Sequence, residues 1–280
     1  MKKFLALMLA MLMALSLVAC GGGNNAADDN ANNDDQSGDT KTELVVGVSA
    51  DYAPFEFMYP DESGEMVYGG IDISVAQYIA DELGLTMKVE NMGFDYLLTS
   101  LDKGDFDIVL SAMEAAPDRL ENADFSDPYY TDVPPAILVK ADKADQYKTL
   151  ADFNGKSIGA QTATTKLDMV NDIEGANAVA LQSVLDLVNE LVYDKVDAIL
   201  VDGGVAQQYA DSNPDLVIAE ASSELGEASP YCIAVQKGDP KGLLEGINAA
   251  IAKMTAENKI ETFIADADSL ADVAVEVSAN

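Results

Sequence analysis

The sequence predicts an α/β protein made of two similar lobes, and three observations support this fold class. Between residues 44 and 110, three apolar, strand-like segments alternate with two segments of helical periodicity. This rhythm is typical of a mostly parallel sheet flanked by helices. A comparable passage from helix to strand recurs at residues 184–202, and a chain of 280 residues is long enough to form two lobes.

In the first half, strands and helices are expected to alternate. Apolar side chains recur at helical spacing after Asp72, which we expect to be a helix N-cap, and Gly84 is expected to end that helix. Short apolar runs on either side have the length of buried strands. The expected strands are residues 44–48, 86–90 and 106–110, and the expected helices are residues 72–83 and 94–101.

The second half repeats the pattern. A strand over residues 156–160 leads into a hydroxyl-rich loop, residues 161–165, and a helix over residues 184–192 leads into the strand-like run 196–202. In both halves a pair of leucines four residues apart precedes the final strand, which carries polar residues at its carboxyl end. This repeated helix-to-strand pattern favours two lobes of the same architecture.

The chain is expected to cross between the lobes twice. Segments around Ile137 and around Ile233 are predicted to lie side by side and form a two-strand hinge. After the second crossing, a helical hairpin is expected to return to the first lobe. Its apolar stripe consists of Leu243, Leu244, Ile247, Ile251 and Met254.

Composition excludes several classes of function. The formal charge of −33 argues strongly against a nucleic-acid partner, because phosphate binding requires a basic surface. The chain has no histidine, so imidazole-based metal sites and Ser-His-Asp or Cys-His catalysis are excluded. We expect no cofactor and no metal. Cys232 lies in an apolar run and is expected to be a buried, inert thiol.

The N-terminus predicts export. Lys2 and Lys3 precede an apolar run, and residues 1–19 read as a signal peptide. The run ends at Ala19-Cys20, similar to the lipobox of bacterial lipoproteins, which implies cleavage before Cys20 and a lipid on its sulfur. The alternative is an ordinary signal peptide with an incidental cysteine. Residues 20–42 are polar and are expected to form a lipid-anchored flexible linker.

Polar residues collect where the predicted strands end. Arg119, the only arginine in the chain, follows the third strand, and Asp202 follows the corresponding strand of the second half. Ligands of open α/β sheets bind beyond these carboxyl ends. A guanidinium holds carboxylates and a carboxylate holds an ammonium group, so the set suits a small zwitterion. The alternative for Arg119 is an ordinary surface cation.

Five segments together resemble a known family. These segments are similar, in order and spacing, to the polar amino-acid-binding proteins of ABC importers, bacterial extracellular solute-binding protein family 3. They are residues 46–48 with 52–57, 70–73, 106–119, 125–130 and 196–202. The resemblance implies the two-lobed periplasmic-binding-protein fold, which closes like a flytrap. We expect the first lobe to comprise residues 43–138 and 229–280, and the second lobe to comprise residues 139–228.

The resemblance also implies roles for single residues. Arg119 would grip the ligand α-carboxylate and Asp202 the α-ammonium, although Asp202 could instead be a helix N-cap. The other implied contacts are Tyr52 and Phe94 flanking the ligand side chain, Ser111 and Ala112 offering backbone groups, Thr165 facing the carboxylate and Gln161 facing the side chain. Tyr52 and Phe94 could instead be core aromatics.

Three residues depart from the family pattern. Glu114 stands where serine or threonine is usual, Ala163 where glycine is usual, and Ser49 where many members carry an aspartate. The missing acid at Ser49 weakens the assignment of lysine or arginine as the ligand, although Asp51 and Glu114 could substitute. Two carboxylates facing one site need a cation between them. We expect Glu114 and Asp202 to hold a cationic ligand group, or Glu114 to pair with Arg119.

The leading hypothesis is a lipid-anchored substrate-binding protein without catalytic activity. It would be an extracytoplasmic monomer on the cell membrane that captures a polar amino acid, or a close zwitterionic analogue, and delivers it to an ABC permease. One alternative is a dehydratase-like enzyme on the same scaffold, with Glu114 as a general acid. Another is a ligand-sensing lipoprotein.

Overall fold

A computed structural model describes residues 42–278, without the side chains of residues 272, 273 and 275–278. The predicted signal peptide, the lipidation site Cys20 and nearly all of the predicted linker lie outside the described residues. Within residues 42–278, no helix is both long and apolar enough to span a bilayer.

The described chain contains fifteen strands and eight α-helices, with short 3-10 turns between some of them. The strands are β1 (Glu43–Val48), β2 (Asp51–Tyr52), β3 (Glu56–Pro60), β4 (Met66–Gly69), β5 (Thr86–Asn91), β6 (Ile108–Val109), β7 (Ala123–Phe125), β8 (Tyr130–Thr131), β9 (Ala136–Lys140), β10 (Ser157–Gln161), β11 (Asn177–Leu181), β12 (Ala198–Val201), β13 (Leu216–Ile218), β14 (Pro230–Tyr231) and β15 (Ala234–Gln236). The helices are α1 (Ile71–Glu82), α2 (Leu97–Lys103), α3 (Pro117–Leu120), α4 (Thr165–Asp172), α5 (Val184–Val192), α6 (Gly203–Ser212), α7 (Leu244–Ala256) and α8 (Lys259–Ser278).

Two five-stranded sheets share one topology, which confirms the predicted fold class. The first sheet has the order β5-β1-β6-β15-β7 and the second the order β11-β10-β12-β9-β13. In each, three parallel strands are followed by an antiparallel strand, β15 in the first sheet and β9 in the second. The carboxyl ends of the parallel strands therefore form one edge in each sheet, where ligands bind in open α/β sheets.

The two sheets also share one side-chain contact, which is made by an aspartate in each sheet. Asp107 precedes β6 and its Oδ2 accepts a hydrogen bond from the Val45 backbone at 2.6 Å. Asp197 precedes β12 and its Oδ2 accepts from the Ser157 backbone at 2.9 Å. Each carboxylate thus ties the start of one parallel strand to the start of its neighbour. The match between the two halves seen in the sequence is a structural equivalence.

The strand crossing lies a few residues away from the expected place. The pair that links the lobes is β8 with β14, where Tyr231 is opposite Tyr130. Ile137 instead lies in β9, inside the second sheet, and Ile233 lies between β14 and β15. The expected lobe boundary after residue 138 therefore falls inside a strand, because the apolar run around Ile137 is a buried sheet strand and not a connector.

Two further local expectations differ from the structure. The N-cap of α1 is Gly70, and Asp72 lies in the first turn of the helix with its side chain fully buried. The crossing segment expected around Ile233 forms two short strands, β14 and β15, because the backbone N–H of Cys232 between them donates to the Met113 carbonyl at 2.8 Å. Cys232 is a buried free thiol, as expected.

Gly70 is a position where only glycine fits. Its φ is +120°, and a Cβ there would overlap the carbonyl oxygen of Phe55. Gly104, which ends α2, also has a positive φ, of +84°, but a Cβ there would meet no atom within 4 Å. An alanine would therefore be strained by the backbone conformation at both positions, but it would collide with a neighbouring atom only at position 70.

We expect Gly70→Ala to lower the free energy of unfolding by roughly 3 kcal/mol or more, and Gly104→Ala by about 1 kcal/mol. Urea unfolding followed by circular dichroism measures both. Equal losses in the two variants would show that the Phe55 carbonyl does not restrict position 70.

Candidate functional site

The nine residues singled out from the sequence surround one cavity between the two sheets. Three more residues, Glu56, Thr164 and Lys166, complete its lining. The cavity volume is about 20 Å³, room for about one water molecule. The nine residues are Tyr52, Phe94, Ser111, Ala112, Glu114 and Arg119 from the first half of the chain, and Gln161, Thr165 and Asp202 from the second.

Arg119 lies in α3 and reaches across the cleft. Its side chain is buried, with Nη1 donating to the Glu114 carbonyl at 3.0 Å and Nη2 donating to the Ala163 carbonyl, in the other lobe, at 3.1 Å. The guanidinium also lies 5.3 Å from the centre of the Phe94 ring, within range of a cation–π contact. Burial lowers the pKa of Arg119, which nearby carboxylates including Glu114 oppose. Arg119 is therefore a buried cation and not a surface one.

Ala163, which stands where the family usually has glycine, has a strained backbone conformation. Its φ is +62°, in the left-handed region where glycine is favoured. In that conformation its carbonyl accepts the hydrogen bond from Arg119. The departure from glycine therefore keeps the backbone shape and carries a strain of about 1–2 kcal/mol.

Asp202 holds the N-cap position of α6 but does not cap it. Its side chain makes no capping hydrogen bond. Instead, Oδ2 accepts a hydrogen bond from the Tyr52 hydroxyl at 2.6 Å, and the Asp202 backbone N–H donates to the same hydroxyl at 3.0 Å. Burial and the Asp202 charge raise the pKa of Tyr52, which keeps the phenol protonated and able to donate. Tyr52 is thus a polar partner across the cleft as well as an aromatic wall.

Lys166, in the first turn of α4, lies between the two carboxylates. Its Nζ is 2.8 Å from Glu114 Oε1 and forms a second ion pair with Asp202 Oδ1. Burial alone would lower the pKa of Lys166, but Asp202 and Glu114 outweigh burial and raise it. The cation between Glu114 and Asp202, expected to come from the ligand, is supplied by the chain itself. The expected ion pair between Glu114 and Arg119 is absent from the ion pairs of residues 42–278, where Arg119 contacts the Glu114 backbone carbonyl instead.

Several of the remaining expected site residues make hydrogen bonds within the protein. The Ala112 N–H, expected to face a ligand, donates to Asp72 Oδ2 at 2.7 Å. Gln161 Nε2 donates to the Gln182 carbonyl at 2.9 Å, and Thr165 Oγ1 lies 3.4 Å from Lys166 Nζ. Asp51 does not line the cavity, because its Oδ2 accepts from the Val184 backbone across the cleft at 2.9 Å. It therefore does not replace the acid missing at Ser49.

A second pair of carboxylates consists of Glu56, which lines the cavity, and Asp72, which lies behind it. Ser111 Oγ donates to Glu56 Oε1 at 2.5 Å, and the Tyr129 hydroxyl donates to Asp72 Oδ1 at 2.6 Å. Burial raises the pKa of Asp72 to about 6, while burial and the neighbouring Asp72 raise the pKa of Glu56 well above its usual value. The other oxygen of Glu56, Oε2, is buried and has no hydrogen-bond partner among residues 42–278, an environment that favours the protonated form over the ionised one. Glu56 therefore presents no charge to the cavity.

Sequence reasoning missed Lys166, Glu56 and Thr164. Thr164 caps α4, since its Oγ1 accepts from the Leu167 N–H at 3.2 Å. Lys166 carried a usable signal, since it directly follows the hydroxyl-rich loop and is the only cation between residues 157 and 194. Within residues 42–278, no cluster of three or more cysteine or acidic side chains is arranged to hold a metal ion.

Comparisons with known proteins give a consistent result. The model of the family "bacterial extracellular solute-binding proteins, family 3" matches residues 44–266. Arginine-binding extracellular protein ArtP of Bacillus subtilis is 32% identical over 267 residues, 93% of this chain and 96% of ArtP. A probable histidine-binding protein of Campylobacter jejuni is 30% identical over 264 residues, 94% of this chain and 98% of that protein.

Solved structures show the same fold. The amino acid ABC transporter substrate-binding protein AbpA of Streptococcus pneumoniae, solved bound to L-arginine, superposes with a TM-score of 0.77 at 31% identity. The match covers 82% of this chain and 96% of AbpA.

The buried Glu56 makes stability depend on pH in a predictable direction. Folded Glu56 keeps its proton at pH values where the unfolded chain, with the ordinary pKa of 4.5, has released it. Its contribution to stability is therefore full at low pH and is lost as the pH rises. Relative to wild type, we expect Glu56→Gln to gain up to about 1.4 kcal/mol of unfolding free energy per pH unit above about pH 4.5.

Urea unfolding at a series of pH values measures this difference. Glu62→Gln, which changes an exposed glutamate in the β3–β4 turn, is the control and should show no such gain. A difference between Glu56→Gln and wild type that stays constant with pH would show that Glu56 is ionised in the folded protein.

Proposed function

We propose that this chain, which belongs to family 3 of the bacterial extracellular solute-binding proteins, binds an amino acid between its two lobes and delivers it to an ABC permease. One observation carries the proposal: a buried arginine from one lobe and a buried aspartate from the other line the same cavity at the carboxyl ends of the strands. This pair matches the carboxylate and ammonium groups of an amino acid.

Direct contacts across the cleft support a closing mechanism. Arg119 reaches the Ala163 carbonyl, the Tyr52 hydroxyl reaches Asp202, and Asp51 accepts from the backbone of Val184. With a cavity of only about 20 Å³, a ligand enters after the lobes separate. A ligand bound by both lobes stabilises the closed form by its higher affinity for that form, and we propose that the permease recognises the closed form.

Binding without catalysis is the function that the site favours. Glu114, the candidate general acid of a dehydratase-like enzyme, is held by Lys166 at 2.8 Å and acts as a charge partner. The matched relatives are named as binding proteins, and one of them, from Escherichia coli, is named as an ABC transporter arginine-binding protein. We therefore propose amino acid capture, with a lipid on Cys20 holding the protein at the outer side of the cell membrane, and no enzyme or sensor function.

A thermal-shift screen tests the proposal with a built-in control. Because a ligand at 100 times its Kd stabilises the folded form by about 2.7 kcal/mol, at least one of the amino acids, opines and polyamines in the panel should raise the midpoint of wild type. Arg119→Met should lose that shift and Arg119→Lys should keep a part of it, since lysine retains the charge without the bidentate fork. Calorimetry should show a loss of at least about 100-fold for Arg119→Met.

Two outcomes would contradict the proposal. Either no compound in the panel raises the midpoint, or Arg119→Met binds the ligand as tightly as wild type while remaining folded.

The membrane anchor is tested by fractionation of the full-length chain. We expect wild type in the membrane fraction, labelled by a clickable fatty acid, and Cys20→Ser unlabelled and soluble. Cys232→Ser is the matched control, because it removes the buried thiol and should leave the labelling unchanged. Equal labelling of Cys20→Ser and wild type would rule out lipidation of Cys20.

A further inference from the structure

Lys166 occupies the place where a ligand ammonium group is expected. Its Nζ contacts Glu114 Oε1 and Asp202 Oδ1, and the three side chains are 7%, 9% and 7% exposed. The other carboxylate oxygen of Asp202 accepts the Tyr52 hydroxyl. A ligand ammonium that binds Asp202 therefore competes with Lys166 for this carboxylate, while Lys166 keeps its contact with Glu114.

The ionised side chains that line the cavity balance without a ligand. The two cations are Arg119 and Lys166, and the two anions are Glu114 and Asp202. Tyr52 is a protonated phenol, and burial together with the neighbouring Asp72 raises the pKa of Glu56 and favours its uncharged form. The cavity wall is thus electrically neutral, although the whole chain carries a charge of −33.

We propose that Lys166 is a specificity-determining residue: it cancels the charge of Glu114, so that the site selects amino acids of zero net charge over those with a cationic side chain. The inference rests on the proposed function and deepens it. It names the charge class of the ligand, which similarity to proteins named for arginine does not define for this chain.

Charge pairing gives the physical reason. A neutral amino acid places its carboxylate on Arg119 and its ammonium on Asp202, while Lys166 stays on Glu114, so every buried charge has a partner. A cationic amino acid brings one more positive charge, and no carboxylate in the cavity wall is left to receive it. Moving Lys166 out of the cavity would free Glu114, but it would also break a buried ion pair and require the closed cleft to open around the side chain.

The matched ligand pairs arginine and citrulline, and lysine and glutamine, isolate charge from size. Citrulline has the shape of arginine without the charge. By calorimetry, we expect wild type to bind the neutral member of a pair at least about tenfold more tightly. Lys166→Met leaves Glu114 unpaired and the site one charge negative, so the preference should reverse in favour of the cationic member.

Two further variants keep the test independent of the folding of Lys166→Met. Glu114→Gln/Lys166→Met removes one charge of each sign and should restore the preference for the neutral member. Glu114→Gln alone makes the site one charge positive and should raise the affinity for glutamate relative to glutamine. Lys88→Met is the control, because Lys88 is an exposed lysine paired with Glu90 at 2.8 Å and its loss changes the total charge equally. Its ligand preference should match wild type.

The outcomes separate this inference from the proposed function. If no amino acid of the thermal-shift panel binds wild type or any variant, amino acid binding itself is refuted, and the inference with it. If they bind, but wild type prefers the cationic members or Lys166→Met leaves the preference unchanged, amino acid binding stands and the role of Lys166 is refuted.

Discussion

Two buried carboxylates that face each other across the cleft impose the constraint on which the rest of the site depends. Glu114 belongs to the first half of the chain and Asp202 to the second, and neither is stable in a buried position without a cation. Lys166 meets this requirement from the first turn of α4 by contacting both. In the function proposed for this chain, closing the cleft brings the lobes together around a balanced set of charges, and the ligand ammonium competes with Lys166 for Asp202.

The repeated sheet topology explains why such a set can form. Each lobe places the carboxyl ends of three parallel strands at one edge, and these edges carry Ser111 and Asp202 just after β6 and β12. The antiparallel strands β9 and β15 each follow a crossing, and the short pair of β8 and β14 connects the lobes. Because the crossing is only two residues wide on each side, the edges can separate and meet again with little change inside either sheet.

Much of the fold and of the site residue set could be predicted from the sequence. The spacing of apolar residues predicted α5 at residues 184–192. The ends of the predicted strands, together with the family resemblance, predicted that Arg119 and Asp202 belong to one site, and both line the same cavity. Lys166 could not be assigned, because spacing along the chain does not show which cation, from protein or ligand, lies between two distant carboxylates. The crossing was misplaced for a related reason: a short apolar run such as that around Ile137 fits a sheet strand and a connector equally well.

A crystal structure of the complex with the amino acid that stabilises the protein most would test the account most directly. We expect the ligand carboxylate to contact the Arg119 guanidinium and the ligand ammonium to contact Asp202, with Lys166 Nζ still paired with Glu114. A ligand bound outside this cavity would contradict amino acid capture at the cleft. A ligand with its amino groups on both Glu114 and Asp202, and Lys166 turned out to solvent, would contradict the balance of charges.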